Sequence, residues 1–357
     1  MNWLLKKFFY SLKYIWFFLI MIMNIFIFYI LFRAYYDSDI EKNKNNDKQI
    51  VATTNILNDL VKHLIGDVDF NESKYQKIEK IQTVSLMGYG VDPHNYKTKL
   101  SDRKKIKNAD LVIVNGLHLE AKMNDSLKLL SSESNHQKFI SATSEIDKQD
   151  IRTDEESLQE DPHIWFSINL WQKVLKKIRN SLIQIVPEKD KIKIENNFIV
   201  YNDELEQLNK YLQIKIQELN KKCNVLMLVT AHDAFSYLAY KNNVQFELRS
   251  IQGISTQTEA SISDIDILAK EIAEKKVKAI FSESSLSHKS LNSLQEAVSN
   301  KGHYIKISQE ELFSDSLGID NGTFESFHHD PYQKKYKLSS YIGMFLHNIH
   351  IIEKELS

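Results

Sequence analysis

The chain holds four prolines, and two of them sit in the same tripeptide, Asp92-Pro93-His94 and Asp161-Pro162-His163. Proline fixes its own φ and pushes the residue before it out of the helical region, so the following histidine is held on a stiff loop. His94 follows the apolar run TVSLM through MGYGVDPHNY, and His163 stands in EDPHIW just before a helical stretch. A third histidine, His232, directly follows VLMLVT, and Asp315 stands in LFSDSLG after YIKIS. Three imidazoles and a carboxylate make a donor set for a first-row transition metal. Each residue also has a plainer reading. A loop histidine is usually exposed or hydrogen-bonded, Asp315 could serve a turn, and Asp92 and Asp161 could cap their own loops. His118 reads as a rim residue near such a cleft. His328-His329 reads first as an exposed pair in a polar loop. His347 and His350 read as a helix-surface pair, and the lone Cys223 as a small apolar filler. A metal cluster could also hydrolyse a substrate, which needs a general base; Glu283, in SESS, is the obvious carboxylate for that role, though it reads first as a hydrogen-bonded structural residue at the cleft.

These loops need a frame. Short apolar runs alternate with amphipathic stretches from Ile50 onward, which points to parallel sheets covered by helices. IVATT (50–54), TVSLM (83–87) and ADLVIVNG (109–116) supply strands in the first part. NVLMLVT (224–230), VQFELRS (244–250), VKAIFS (277–282) and YIKIS (304–308) supply them in the second. Between the parts, residues from Lys189 to Lys222 contain no Gly or Pro and keep a helical apolar spacing. This predicts one long helix, a strut between two α/β lobes. Ligands of open parallel sheets collect beyond the carboxyl ends of the strands, so two lobes would present these loops to one another.

Composition narrows the function. Lys+Arg is 46 and Asp+Glu is 47 in 357 residues, which leaves no basic footprint for nucleic acid. One cysteine excludes an internal disulfide framework and any multi-cysteine metal site. Nine glycines argue against a glycine-rich phosphate loop. Residues 14–32 (YIWFFLIMIMNIFIFYILF) carry no charge, and a bilayer needs about 20 such residues. Lys6, Lys7 and Lys13 precede the run, so an uncleaved transmembrane anchor is expected, with the remainder outside the cytoplasm. A cleaved signal is the rival reading, but neither a small-x-small site nor a cysteine follows. The expected divisions are anchor (1–35), polar tether (36–49), first lobe (50–187), linking helix (188–222) and second lobe (223–357).

With these segments in view, the chain resembles the zinc/manganese solute-binding proteins of ABC importers, the TroA-like family. VATTNILNDLV, LMGYGVDPHNY, ADLVIVNGLHLEAKM, DPHIWF, VTAHDAFSYLA, IQGISTQTEAS, IFSESSLS, LFSDSLG and SYIGMFLHNI carry the resemblance in this order over nearly all of 50–357. It implies two α/β lobes bridged by one long helix, with metal held between them by His94, His163, His232 and Asp315. It also implies no enzymatic turnover and no organic cofactor. The implied cargo is zinc, manganese or iron, and the implied partner is an ABC permease that receives it from a monomer. The chain departs from the family in several ways. Residues 131–160 hold only His136 where zinc-dedicated members carry a His-rich loop, and 68–82 and 319–336 look enlarged. A membrane-anchored metallohydrolase and an adhesive ectodomain with structural metal are the alternatives.

Overall fold

The computed structural model describes residues 16, 19–33, 47–68, 74–133, 138–154, 157–222, 227–239, 247–321, 324–326 and 335–356. It divides into two units, Met1–Lys48 and Gln49–Ser357. In the first, residues 19–33 form an exposed helix. Among the described residues no helix is long and apolar enough to cross a membrane. Residues 1–15, 17, 18, 34 and 35 of the expected anchor, and 36–46 of the tether, lie outside the described residues, as do His136, Cys223, His328 and His329.

In the second unit, β1 (Lys48–Ala52) runs into α1 (Asn55–Ile65) through Thr54, whose hydroxyl accepts from Leu57 N. Gly66 ends the helix in the left-handed region, its N–H donating to the last carbonyls. The elements β2 (Ile81–Ser85), α2 (Leu100–Asn108), β3 (Leu111–Val114), α3 (Asn124–Glu133) and β4 (Phe139–Ser141) complete the first half. The strands form one sheet ordered β2-β1-β3-β4, with β1, β3 and β4 mutually parallel in sequence.

Helix α4 (Ile168–Ile185) leads to α5 (Glu188–Lys222), whose bounds match the expected strut. At about 1.5 Å per residue α5 approaches 50 Å. Its buried stripe is Ile194, Tyr201, Leu205, Leu208, Leu212, Ile216 and Leu219, while Ile192, Ile199 and Ile214 face solvent. The second half contains β5 (Met227–His232), β6 (Glu247–Gln252), α6 (Ile262–Lys275), β7 (Ala279–Ile280), α7 (Lys289–Asn300) and β8 (Lys306–Ile307). Here β5 pairs with β6 and β7 with β8, both in parallel, and Phe281 N donates to Val229 O between the pairs. An antiparallel hairpin, β9 (Phe324–Ser326) and β10 (Lys335–Lys337), precedes the last helix, α8 (Tyr341–Leu356).

The main hydrophobic cluster is continuous from Ile50 to Leu356. Helix α5 packs on α1, α4 and α8. Buried Asp59 of α1 pins this junction: Oδ2 accepts Tyr201 OH at 3.0 Å and Tyr341 N at 3.3 Å. Close approach at α8 also demands glycine. A Cβ on Gly343 would lie 1.9 Å from Lys337 O.

Alanine normally favours a helix over glycine by about 1 kcal/mol. At Gly343 the collision with backbone outweighs that gain, since overpacking costs about 1–3 kcal/mol. Gly343→Ala is therefore expected to lower the urea midpoint. Gly88→Ala, where a Cβ meets nothing within 4 Å, should leave it near wild type.

Candidate metal centre

Each Asp-Pro-His loop is built the same way. The carboxylate folds forward onto the backbone N–H two residues on, Asp92 Oδ1 to His94 N at 2.9 Å and Asp161 Oδ1 to His163 N at 3.0 Å. This ties the loop across its proline and aims the imidazole. Asp161 does more: Oδ1 also lies 2.7 Å from His163 Nδ1. A proton on Nδ1 donated to that oxygen leaves the Nε2 lone pair free. Asp92 Oδ2 instead accepts Thr256 Oγ1 at 2.7 Å and Asn95 Nδ2 at 2.9 Å. The amide of Gln257 donates to His94 O. Residues of the second half thus brace the first ligand loop.

His232 is the last residue of β5, paired with Gln252 of β6. Glu283, beyond β7, accepts its backbone N–H at 2.9 Å and stands 2.6 Å from its Nδ1. That carboxylate faces the back of the ring. It positions His232 and is not placed as a base over a reacting atom, so the metallohydrolase reading loses its one candidate. Asp315 lies beyond β8. The indole of Trp165, two residues after His163, donates to Ser314 O at 2.9 Å and fixes that loop from the other half. Tyr341 OH in turn donates to Trp165 O at 2.5 Å.

The structure brings all four sequence candidates together. One donor atom from each of His94, His163, His232 and Asp315 lies within 4.8 Å of every other, and all four side chains are buried. His94 Nε2 and His163 Nε2 are 3.2 Å apart. His163 Nε2 is 3.6 Å from Asp315 Oδ1, and His232 Nε2 is 3.4 Å from Asp315 Oδ2. His232 Nε2 and Asp315 Oδ1 make no hydrogen bond among the described residues. Buried polar atoms without a partner are costly, and a shared cation would relieve that cost.

Electrostatics agree with the placement. Burial pushes the His94 imidazole down to about 4, and the neighbouring imidazoles add to the effect. Burial also opposes the charged form of His232, but the Glu283 and Asp315 carboxylates overcome it and hold its value well above 6.5. For Asp315, burial works toward the neutral form. His232 and the other two rings outweigh it and hold the carboxyl well below its ordinary range.

The remaining candidates fall elsewhere. His118 is exposed on a left-handed turn. His347 stacks on Phe313 and bonds Glu311 O, and both it and His350 approach Glu325. A separate cavity of about 330 Å³ contains none of the four donors. Both enlarged segments contribute to it, through Val68 and Tyr75 and through Ile319 and Tyr336. Sequence reasoning missed Arg152, whose guanidinium meets Asp161 and Asp233. Arg152 stands apart from every motif, so only folding reveals it.

Residues 50–355 match the family model for the zinc-uptake complex component A, periplasmic. The zinc-binding protein TroA of Treponema pallidum is 36% identical over 309 residues, covering 86% of this chain and 88% of that protein. The manganese-binding lipoprotein MntA of Bacillus subtilis is 35% identical over 316 residues, covering 88% and 92%. The solved structure of the periplasmic zinc-binding protein TroA from Treponema pallidum superposes with a TM-score of 0.74 at 32% identity, covering 87% of this chain and all of that one.

The raised His232 value gives a signed expectation. The carboxylates beside His232 favour a proton on its ring, and a cation taken up at Nε2 would have to displace it. Metal binding should therefore release about one proton per ion, read by calorimetry in buffers of different ionisation heat. Affinity should climb as pH rises through 6.5 and above it. Binding without proton release would contradict the assignment.

Proposed function

The chain belongs to the zinc-uptake complex component A family, and we propose that it captures one divalent transition metal ion at His94, His163, His232 and Asp315. It is an extracytoplasmic solute-binding protein of an ABC metal importer, and it binds its cargo without turning it over. The observation that carries the site assignment is the convergence of four buried donors, three on loops and one at the end of β5. Four protein ligands close a tetrahedral shell and leave no open position for a reacting water. That suits a carrier better than a hydrolase.

Zinc and manganese are the favoured cargoes, with iron as the third; the relatives above are named for the first two. Three imidazoles and a carboxylate accept all three ions, and intrinsic affinity favours zinc over manganese. We read 50–187 and 223–357 as the two lobes and 188–222 as the helix that joins them. The parallel sheets on either side of α5 support these limits. Such a carrier works as a monomer that docks on the permease.

For attachment we retain the run 14–32 as an uncleaved anchor, N-terminus inside. Its support is its uncharged length and the lysines that precede it. The relative MntA is named a lipoprotein, a different means to the same end, and the single cysteine here, Cys223, lies far along the chain.

Two measurements test these readings. Calorimetric titration of the purified full chain with zinc and with manganese should give one site per chain. His163→Ala and His232→Ala should each weaken it by more than about 100-fold, beyond the usual range for outer-sphere losses. Wild-type affinity in both variants would remove the site assignment. In membrane fractions the chain should resist high salt, yield to detergent, and retain the residues that precede the apolar run. A mature protein that starts after residue 32 would replace the anchor with a cleaved signal.

A further inference from the structure

Arg152 touches none of the four donors, yet its side chain joins two of their loops. One guanidinium nitrogen, Nη1, donates to Asp161 Oδ2 at 2.9 Å. The other, Nη2, meets Asp233 Oδ2 at 2.9 Å. Asp161 is the carboxylate that holds His163 by both its backbone N–H and its Nδ1. Asp233 is the residue after His232, and its other oxygen accepts Ser236 Oγ. The two carboxylates belong to opposite halves of the fold, and one planar fork spans them.

The fork is itself held in place. Arg152 N donates to Tyr237 OH at 2.9 Å, and Tyr237 OH donates to Asp161 O at 3.1 Å. Asp161 N donates to Arg152 O at 2.8 Å, and Thr153 bridges Glu160 in an antiparallel turn. Both the backbone and the head group of Arg152 are therefore fixed before any ion arrives. Arginine suits this position because its rigid fork addresses two carboxylates at once, which a lysine ammonium on a flexible stem does not. Other contacts between the halves near the site run through hydroxyl, amide and indole groups, such as Asp92 to Thr256 and Trp165 to Ser314.

We infer that Arg152 is a positioning residue, a clasp that keeps the His163 and His232 loops together around the ion and sets how fast the ion leaves. The inference rests on the proposed four-donor site. Ions escape when donors separate, and here the His163 and His232 segments separate only if a guanidinium contact opens together with the Tyr237 contacts to Arg152 N and Asp161 O. Losing the clasp should therefore act mainly on dissociation, as breaking a hydrogen-bonded charge pair does at interfaces.

The test is stopped-flow release of zinc from the full chain into excess chelator. Two variants are compared, because Arg152→Met strips Asp161 of a partner and could disturb the fold. Asp233→Asn removes the charge of the crossing arm and leaves one oxygen for Arg152 and Ser236 to share, while Asp161, His163 and the four donors stay in place. Both should release zinc faster by about tenfold, with the thermal midpoint of metal-free Asp233→Asn close to wild type. The double variant should release no faster than Arg152→Met, since both remove one contact. Arg152→Lys should restore the rate only in part. Wild-type release in Asp233→Asn overturns the clasp, even if Arg152→Met is fast, because the effect would then be confined to Asp161. If wild type itself holds no zinc, the site fails rather than the clasp.

Discussion

Four buried polar groups aimed at one point, out of reach of water, are costly unless each finds a partner there. Much of the surrounding structure can be understood as the means of holding them there. Asp161 and Glu283 take the far sides of two rings and so orient the near nitrogens. Asp92 and Asp161 hold the backbone of both proline loops. Trp165, itself held by Tyr341, keeps the Asp315 loop in register with the opposite half. Removing any of these supports would let buried lone pairs drift toward other partners, at about 1–3 kcal/mol for each donor left unpaired.

The same constraint bears on motion. The principal core passes without a break from the first sheet, along α5, into α8. Halves that share a core do not swing widely about a flexible linker. At the proposed site, exchange of an ion would come from small displacements of the ligand segments rather than from a broad opening of the fold. Tuning of affinity there would fall to the charges in and behind the donor set. His94, pushed down by burial, and His232, lifted by two carboxylates, are the extremes of that tuning.

How far this was legible beforehand depends on the range of the interaction. The Asp-Pro-His repeats were readable because proline and the carboxylate act within three residues. Helix α5 was readable because an uninterrupted stretch without Gly or Pro needs no partner to be recognised. The strands of the second half were harder. The run 277–282 keeps only Ala279–Ile280 as strand, and 304–308 only Lys306–Ile307, because short ladders are set by the neighbouring strand. Ile192, Ile199 and Ile214 fit the helical spacing yet face outward, since spacing alone does not say which stripe meets the core. The roles of Glu283 and Arg152 join residues far apart in sequence, and their flanking residues give no sign of them. Loop placement singled out the four candidate donors and the family resemblance grouped them as one set; the fold supplied what stands behind each.

The most direct test of the account is anomalous diffraction from crystals of the metal-loaded protein, recorded at the absorption edge of the bound ion. One peak is expected among His94, His163, His232 and Asp315, with nitrogen and oxygen ligands at about 2.0–2.2 Å if the ion is zinc. A peak on other residues, with these four side chains still packed against one another, would contradict it.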